Sequence, residues 1–113
     1  MKLPRLLLSL LVLATLPAQA AKTYSPGELK LMIPLGNYPA EGPVTRQETH
    51  KMSREECLAR SDKLSKSASS VSPSVRLVDT PQLRSTKVWG GDGAMLINCP
   101  AAGGMELKRS SYR

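Results

Sequence analysis

A single pair of cysteines, Cys57 and Cys99, constrains this 113-residue chain more than any other feature. Both lie downstream of a segment that reads as an export leader. Met1-Lys2-Leu3-Pro4-Arg5 is a short basic start, Leu6 to Leu16 is an apolar run broken only by Ser9 and Thr15, and Ala18-Gln19-Ala20 is a small-x-small cleavage site. Residues 1–20 are therefore expected to be a signal peptide, with the mature chain beginning at Ala21. The apolar run falls well short of the roughly 20 residues that span a hydrocarbon core, so no transmembrane segment is expected after cleavage. No cysteine follows the cut directly, which leaves nothing for a lipid anchor to attach to. The expected compartment, periplasmic or secreted, permits oxidation, and two cysteines there predict one disulfide. A redox or metal-binding pair is the competing reading. It lacks C-x-x-C spacing, and His50 is the chain's only histidine.

The bond matters because the apolar complement is thin. Residues 21–113 hold 16 Leu, Ile and Val, no Phe, and only Tyr24, Tyr38, Trp89 and Tyr112 as aromatics. That share is below the roughly 20% at which a charged chain risks failing to fold. A core of this size is marginal without a staple. Closing a loop of about 43 residues is expected to remove about 4 kcal/mol of conformational freedom from the unfolded chain.

Residues 21–27 read as a flexible mature N-terminus, followed by one small domain over 28–110. Glu28 to Leu35 alternates, with Leu29, Leu31 and Ile33 on one side, which predicts a strand. Gly36 to Pro43 concentrates turn residues and predicts a loop, and Val44 to Lys51 suits an exposed edge strand. Ser53-Arg54-Glu55-Glu56 is a capping box, with Met52 and Cys57 placed as a hydrophobic staple, so a helix is expected over about 53–69. Its inward stripe is Cys57, Ser61, Leu64 and Ala68. Val75 to Asp79 reads as a strand stopped by Pro81. Lys87-Val88-Trp89 and Ala94 to Cys99 form the arms of a hairpin around Gly90-Gly91-Asp92-Gly93, with Met95, Ile97 and Cys99 on the face that meets the helix. Met105 to Lys108 alternates once more before a polar tail. The expected class is α+β: a small, mostly antiparallel sheet of four to six short strands, one helix on one face, and a disulfide between them.

The chemistry offers less. No nucleophile-elbow, zinc-binding or phosphate-cradling pattern is present. Glu55 and Glu56 are explained by the helix cap and dipole, and the glycines at 90–93 by the hairpin turn. No catalytic residue, metal ligand or cofactor is expected. Charge is the one distinctive surface property: the whole chain is at +7, and +5 remains once Lys2 and Arg5 leave with the leader. Arg54, Arg60, Lys63 and Lys66 crowd the helix and form the expected partner surface, which Trp89, the only tryptophan, either joins or underlies as part of the core's edge. Basic residues here are not interleaved with stacking aromatics, which argues against nucleic acid. An unknown protein or an anionic envelope component is the expected partner. These features together suggest a small exported, non-enzymatic binding or accessory protein of the bacterial cell envelope. A small exported hydrolase or thiol redox protein is the alternative.

Overall fold

The computed structural model of the chain describes residues 22–113; the expected leader, residues 1–20, lies outside them. The elements, in chain order, are α1 (Pro26–Met32) running into a single 3₁₀ turn (Ile33–Leu35), β1 (Glu41–His50), α2 (Arg54–Ala68), β2 (Ser74–Asp79), β3 (Leu83–Trp89), β4 (Gly93–Pro100) and β5 (Met105–Tyr112). The five strands make one antiparallel sheet in the order β1-β5-β4-β3-β2. Thus α2 carries the chain from one edge of the sheet to the other, and the meander β2–β5 walks back to β1. The α+β class with a helix on a mostly antiparallel sheet is what the residue pattern predicts.

Ser53 starts α2: its hydroxyl accepts from the Glu56 amide at 3.1 Å. The reciprocal half of the expected box is replaced by an ion pair, because Glu56 takes the Arg60 guanidinium at 2.8 Å. Cys57 and Ser61 are the residues α2 buries against the sheet, and small side chains there let the helix axis approach closely. Leu64 departs from the expected stripe and is 38% exposed. Cys57 and Cys99 are bonded, with their Cα atoms 5.7 Å apart. The bond sits in a cluster with Val88, Ile97 and Met105, flanked by Met52, Leu58 and Met95. On the far side of the helix, Asp62 accepts from Arg76 at 2.6 Å and Arg84 at 3.4 Å, and Asp79 bridges the same two arginines. This network ties α2 to β2 and β3.

The β3–β4 hairpin forms as expected. Gly90 N–H donates to Gly93 O at 2.9 Å, and Trp89 pairs with Ala94. The turn after β4 needs two consecutive left-handed residues, supplied by Gly103 (φ 92°) and Gly104 (φ 86°).

The expected strand at 28–35 is instead α1 and its 3₁₀ extension. Ser25 accepts from the Glu28 amide at 3.1 Å while the Glu28 carboxylate accepts from the Ser25 amide at 3.0 Å, a complete capping box. Pro26 occupies the first helical turn, where its missing N–H costs nothing. Of the alternating residues, Leu29 and Ile33 are buried and Leu31 is 73% exposed, a period of four rather than two. α1 covers the sheet face opposite α2, where Leu29 and Ile33 pack with Trp89, Ala94 and Tyr112. Residues 22–27, read from sequence as loose, make specific contacts. Lys22 bridges to Tyr112, Tyr24 N–H donates to Gly91 O at 2.8 Å, and the Tyr24 ring meets Tyr112 edge-on at 5.1 Å. Two further boundaries move. Glu41-Gly42-Pro43, expected in the loop, open β1, and the expected polar tail is the second half of β5.

Candidate binding site

Because α2 is anchored over β2, β3 and β4, it buries Met105 at the start of β5 but leaves Leu107 and the near side of β1 only partly covered. Alternation along β5 puts Met105, Leu107 and Arg109 on the α2 side. Their partners on β1 are His50, Glu48 and Arg46. The result is a trough of about 500 Å³ between helix and sheet edge, lined by His50, Met52, Arg60, Lys63, Leu64, Ser67, Met105 and Leu107. Its floor is apolar and its helix-side rim is cationic. A second hollow of about 390 Å³ lies further along β5, past Arg109, beside the end of α2.

The rim charges are unevenly neutralised. Glu48 accepts from His50 Nε2 at 3.2 Å and from Arg46 Nη2 at 2.6 Å. These contacts, the His50 hydrogen bond first, hold its carboxyl below the usual carboxylate range. Arg60 shares Glu56. Lys63 has no ion-pair partner among the described residues and stands exposed at the rim. A positively charged edge over apolar side chains can hold a negative head beside an apolar body.

The expected partner-surface residues separate into four environments. Arg60 and Lys63 come together at the trough. Lys66 lies on the other flank of α2 beside Asp62, Ser65 and Arg76. Arg54 turns back to the β2–β3 connection, donating from Nη2 to Thr80 O at 2.9 Å. Trp89 is 1% exposed; it belongs to the core under α1, stacked at 5.0 Å by Tyr38, and presents no surface to a partner. Of the two roles open to the only tryptophan, the structure places it in the packing one.

The opposite face of the sheet carries a polar row across four strands. Gln47 and Asn98 both donate to the Glu106 carboxylate, at 3.4 and 3.1 Å, and Ser85 Oγ donates to Asn98 Oδ1 at 2.5 Å. The Asn98 hydrogen bond keeps the Glu106 carboxyl below its ordinary range. Next to this row Glu41 receives Ser110 Oγ at 2.5 Å and pairs with Lys87. These groups satisfy one another and form a solvated sheet surface rather than a pocket.

Sequence reasoning finds the rim of the trough, through the basic residues of α2, and misses the floor. Met105 and Leu107 become a floor only once β5 is known to lie between β4 and β1. No group of three or more His, Cys, Asp or Glu side chains gathers as metal ligands would among the described residues. Nor is any helix among them long and apolar enough to cross a membrane. Compared with known protein families, with curated proteins and with solved structures, the chain matches none.

Proposed function

We propose that this chain is a small exported, non-enzymatic binding or accessory protein of the bacterial cell envelope, working in the periplasm or after secretion, and that the trough beside α2 holds its partner. The observation that carries the reading is the apolar floor of the trough, a partly exposed Leu107 beside a Met105 buried at its base, under a Lys63 with no ion-pair partner among the described residues. Apolar side chains left beside a cation at a sheet edge are the usual material of a recognition surface. Export is supported by the leader-like residues 1–20 and by a disulfide that needs an oxidising compartment to form. Against thiol redox chemistry stands the burial of Cys57 and Cys99, both without solvent-exposed surface. His50, the base a hydrolase would need, is hydrogen-bonded to the Glu48 carboxylate but to no Ser or Thr hydroxyl among the described residues, so it has no nucleophile to activate.

Site-specific photocrosslinking in the exported protein tests the reading. A crosslinker at Ser67, on the trough rim, is expected to capture one envelope component, and Lys63→Glu is expected to abolish the adduct. A crosslinker at Lys30, on α1 across the sheet, is expected to capture nothing comparable. No adduct from Ser67, or equal adducts from Lys30, would refute the trough as the binding site.

A further inference from the structure

Resting on the trough as the binding site, we infer that its occupant is a long-chain fatty carboxylate, with Lys63 receiving the head and the chain lying along Met52, Leu64, Met105 and Leu107. Three observations converge on that chemistry. The apolar lining is a strip of four side chains, with Met105 almost fully buried at its base, whereas a stable protein interface needs about 800 Å² from each partner; an alkyl chain is narrow enough to fit. Two of the four are methionines, whose unbranched thioethers adapt to a flexible chain. No aromatic side chain lines the trough, so nothing there would stack on a sugar or a base.

The head group follows from the rim. Lys63 is unpaired among the described residues, and Arg60, one turn before it on α2, already shares its charge with Glu56. The two cations lie at the same edge, so a single anionic head satisfies Lys63 directly and lies within the field of Arg60. A carboxylate needs no more than this. A glycerophosphate head would add hydroxyls and ester oxygens, for which the lining offers only the Ser67 hydroxyl and the His50 ring beside its cations. The volume of about 500 Å³ lies within the roughly 300–1,000 Å³ typical of small-molecule sites. Leu64 gains a reason for its exposure: it forms the helix-side wall against which the chain would pack.

The test titrates the full exported, disulfide-bonded protein with dodecanoate below its micelle-forming concentration, following backbone amide shifts by NMR. Saturable shifts are expected at Met52, Leu64, Met105 and Leu107. Affinity is expected to rise about two- to fourfold per methylene from octanoate to dodecanoate as apolar burial grows. Lys63→Glu is expected to weaken dodecanoate about tenfold or more, and Leu64→Gln to flatten the chain-length dependence. Both substitutions fall on exposed helix positions, and an unchanged melting temperature will show that each variant folds. Dodecyltrimethylammonium, with the same chain and opposite charge, is expected not to bind. Equal binding of that cation, no dependence on chain length, tighter binding of dodecanoyl lysophosphatidylglycerol than of dodecanoate, or shifts centred on the exposed Leu31 and Leu35 of the α1 segment would each overturn the inference. If dodecanoate fails while Ser67 still gives a Lys63-dependent adduct, the ligand class is wrong and the binding reading stands. If both fail, both are wrong.

Discussion

Replacing Cys57 and Cys99 together by alanine removes the one covalent link between α2 and the sheet. The bond joins residues 42 apart. In the chain-entropy treatment a loop of that length constrains the unfolded state by about 4 kcal/mol, within the usual 2–5 kcal/mol for native disulfides of small exported domains. Both cysteines are fully buried in the α2-side cluster, so a modest packing loss from the missing sulfurs adds to the entropic effect. Domains of this size hold about 5–15 kcal/mol in total, and this one has few large apolar side chains. With about 4–8 °C of melting temperature per kcal/mol, the double variant should melt roughly 16–30 °C lower than the bonded protein. Circular dichroism melts measure this directly. Urea titration adds a second signature, because an unfolded chain freed of its cross-link exposes more surface and the slope m should increase. A fall of less than about 5 °C with an unchanged m would refute the reasoning, showing that the packing of α2 on β3 and β4 suffices without the bond.

Leu29→Ala should destabilise by about 2–5 kcal/mol while Leu31→Ala stays within about 0.5 kcal/mol; equal effects in denaturant titrations would contradict the helical period of α1. Burial, with Glu41 and Asp92 nearby, pushes the Tyr112 phenol well above the usual tyrosine range. The unfolded chain therefore ionises first, and the stability held below about pH 10 should decline as pH rises beyond it. Tyr112→Phe should remove that decline from urea midpoints measured across the alkaline range, and an unchanged slope would contradict it. Glu106 is held below its ordinary range, so its contribution is present above about pH 4.3 and is lost as pH falls through the lower folded value. Asn98→Ala should move its carboxyl titration, followed by NMR, back upward; an unmoved titration would assign the shift to Lys108 instead.

The parts of the fold that can be read from sequence are those whose signals are local. Ser53 caps α2 through its own next turn, and Gly90 to Gly93 close a hairpin between two apolar arms; neither depends on strand order. α1 is local too, yet its alternating leucines fit a strand as well as a helix, and only burial shows that Leu31 faces water. The tie-breaking signal is the Ser25-Pro26-Gly27-Glu28 capping box, which has the same Ser-x-x-Glu spacing as Ser53 to Glu56 and, unlike it, closes both halves. The second half of β5 fails for the opposite reason. Lys108 to Ser111 carries no apolar period because neither side chain face there is deeply covered. It is a strand because β1 and β4 pair its backbone on both sides.

The trough depends on pairings far apart in sequence, and the same basic residues that looked equivalent on the α2 surface are distributed by them. Arg76 and Arg84 reach Asp62 of α2, which adds to the Cys57–Cys99 bond in holding α2 over the β2 side of the sheet. On the opposite flank Leu107 is left partly exposed, while Met105 stays buried in the disulfide cluster at the base of the trough. Lys63, one residue beyond Asp62, then faces the gap that its neighbour's ion pairs help to open. A helix carrying Asp62 and Lys63 in succession therefore has one flank committed to structure and the other left for a ligand. Adjacent helical positions point about 100° apart, so the division of roles is written in the helix period, though its meaning emerges only when β5 is placed beside β1.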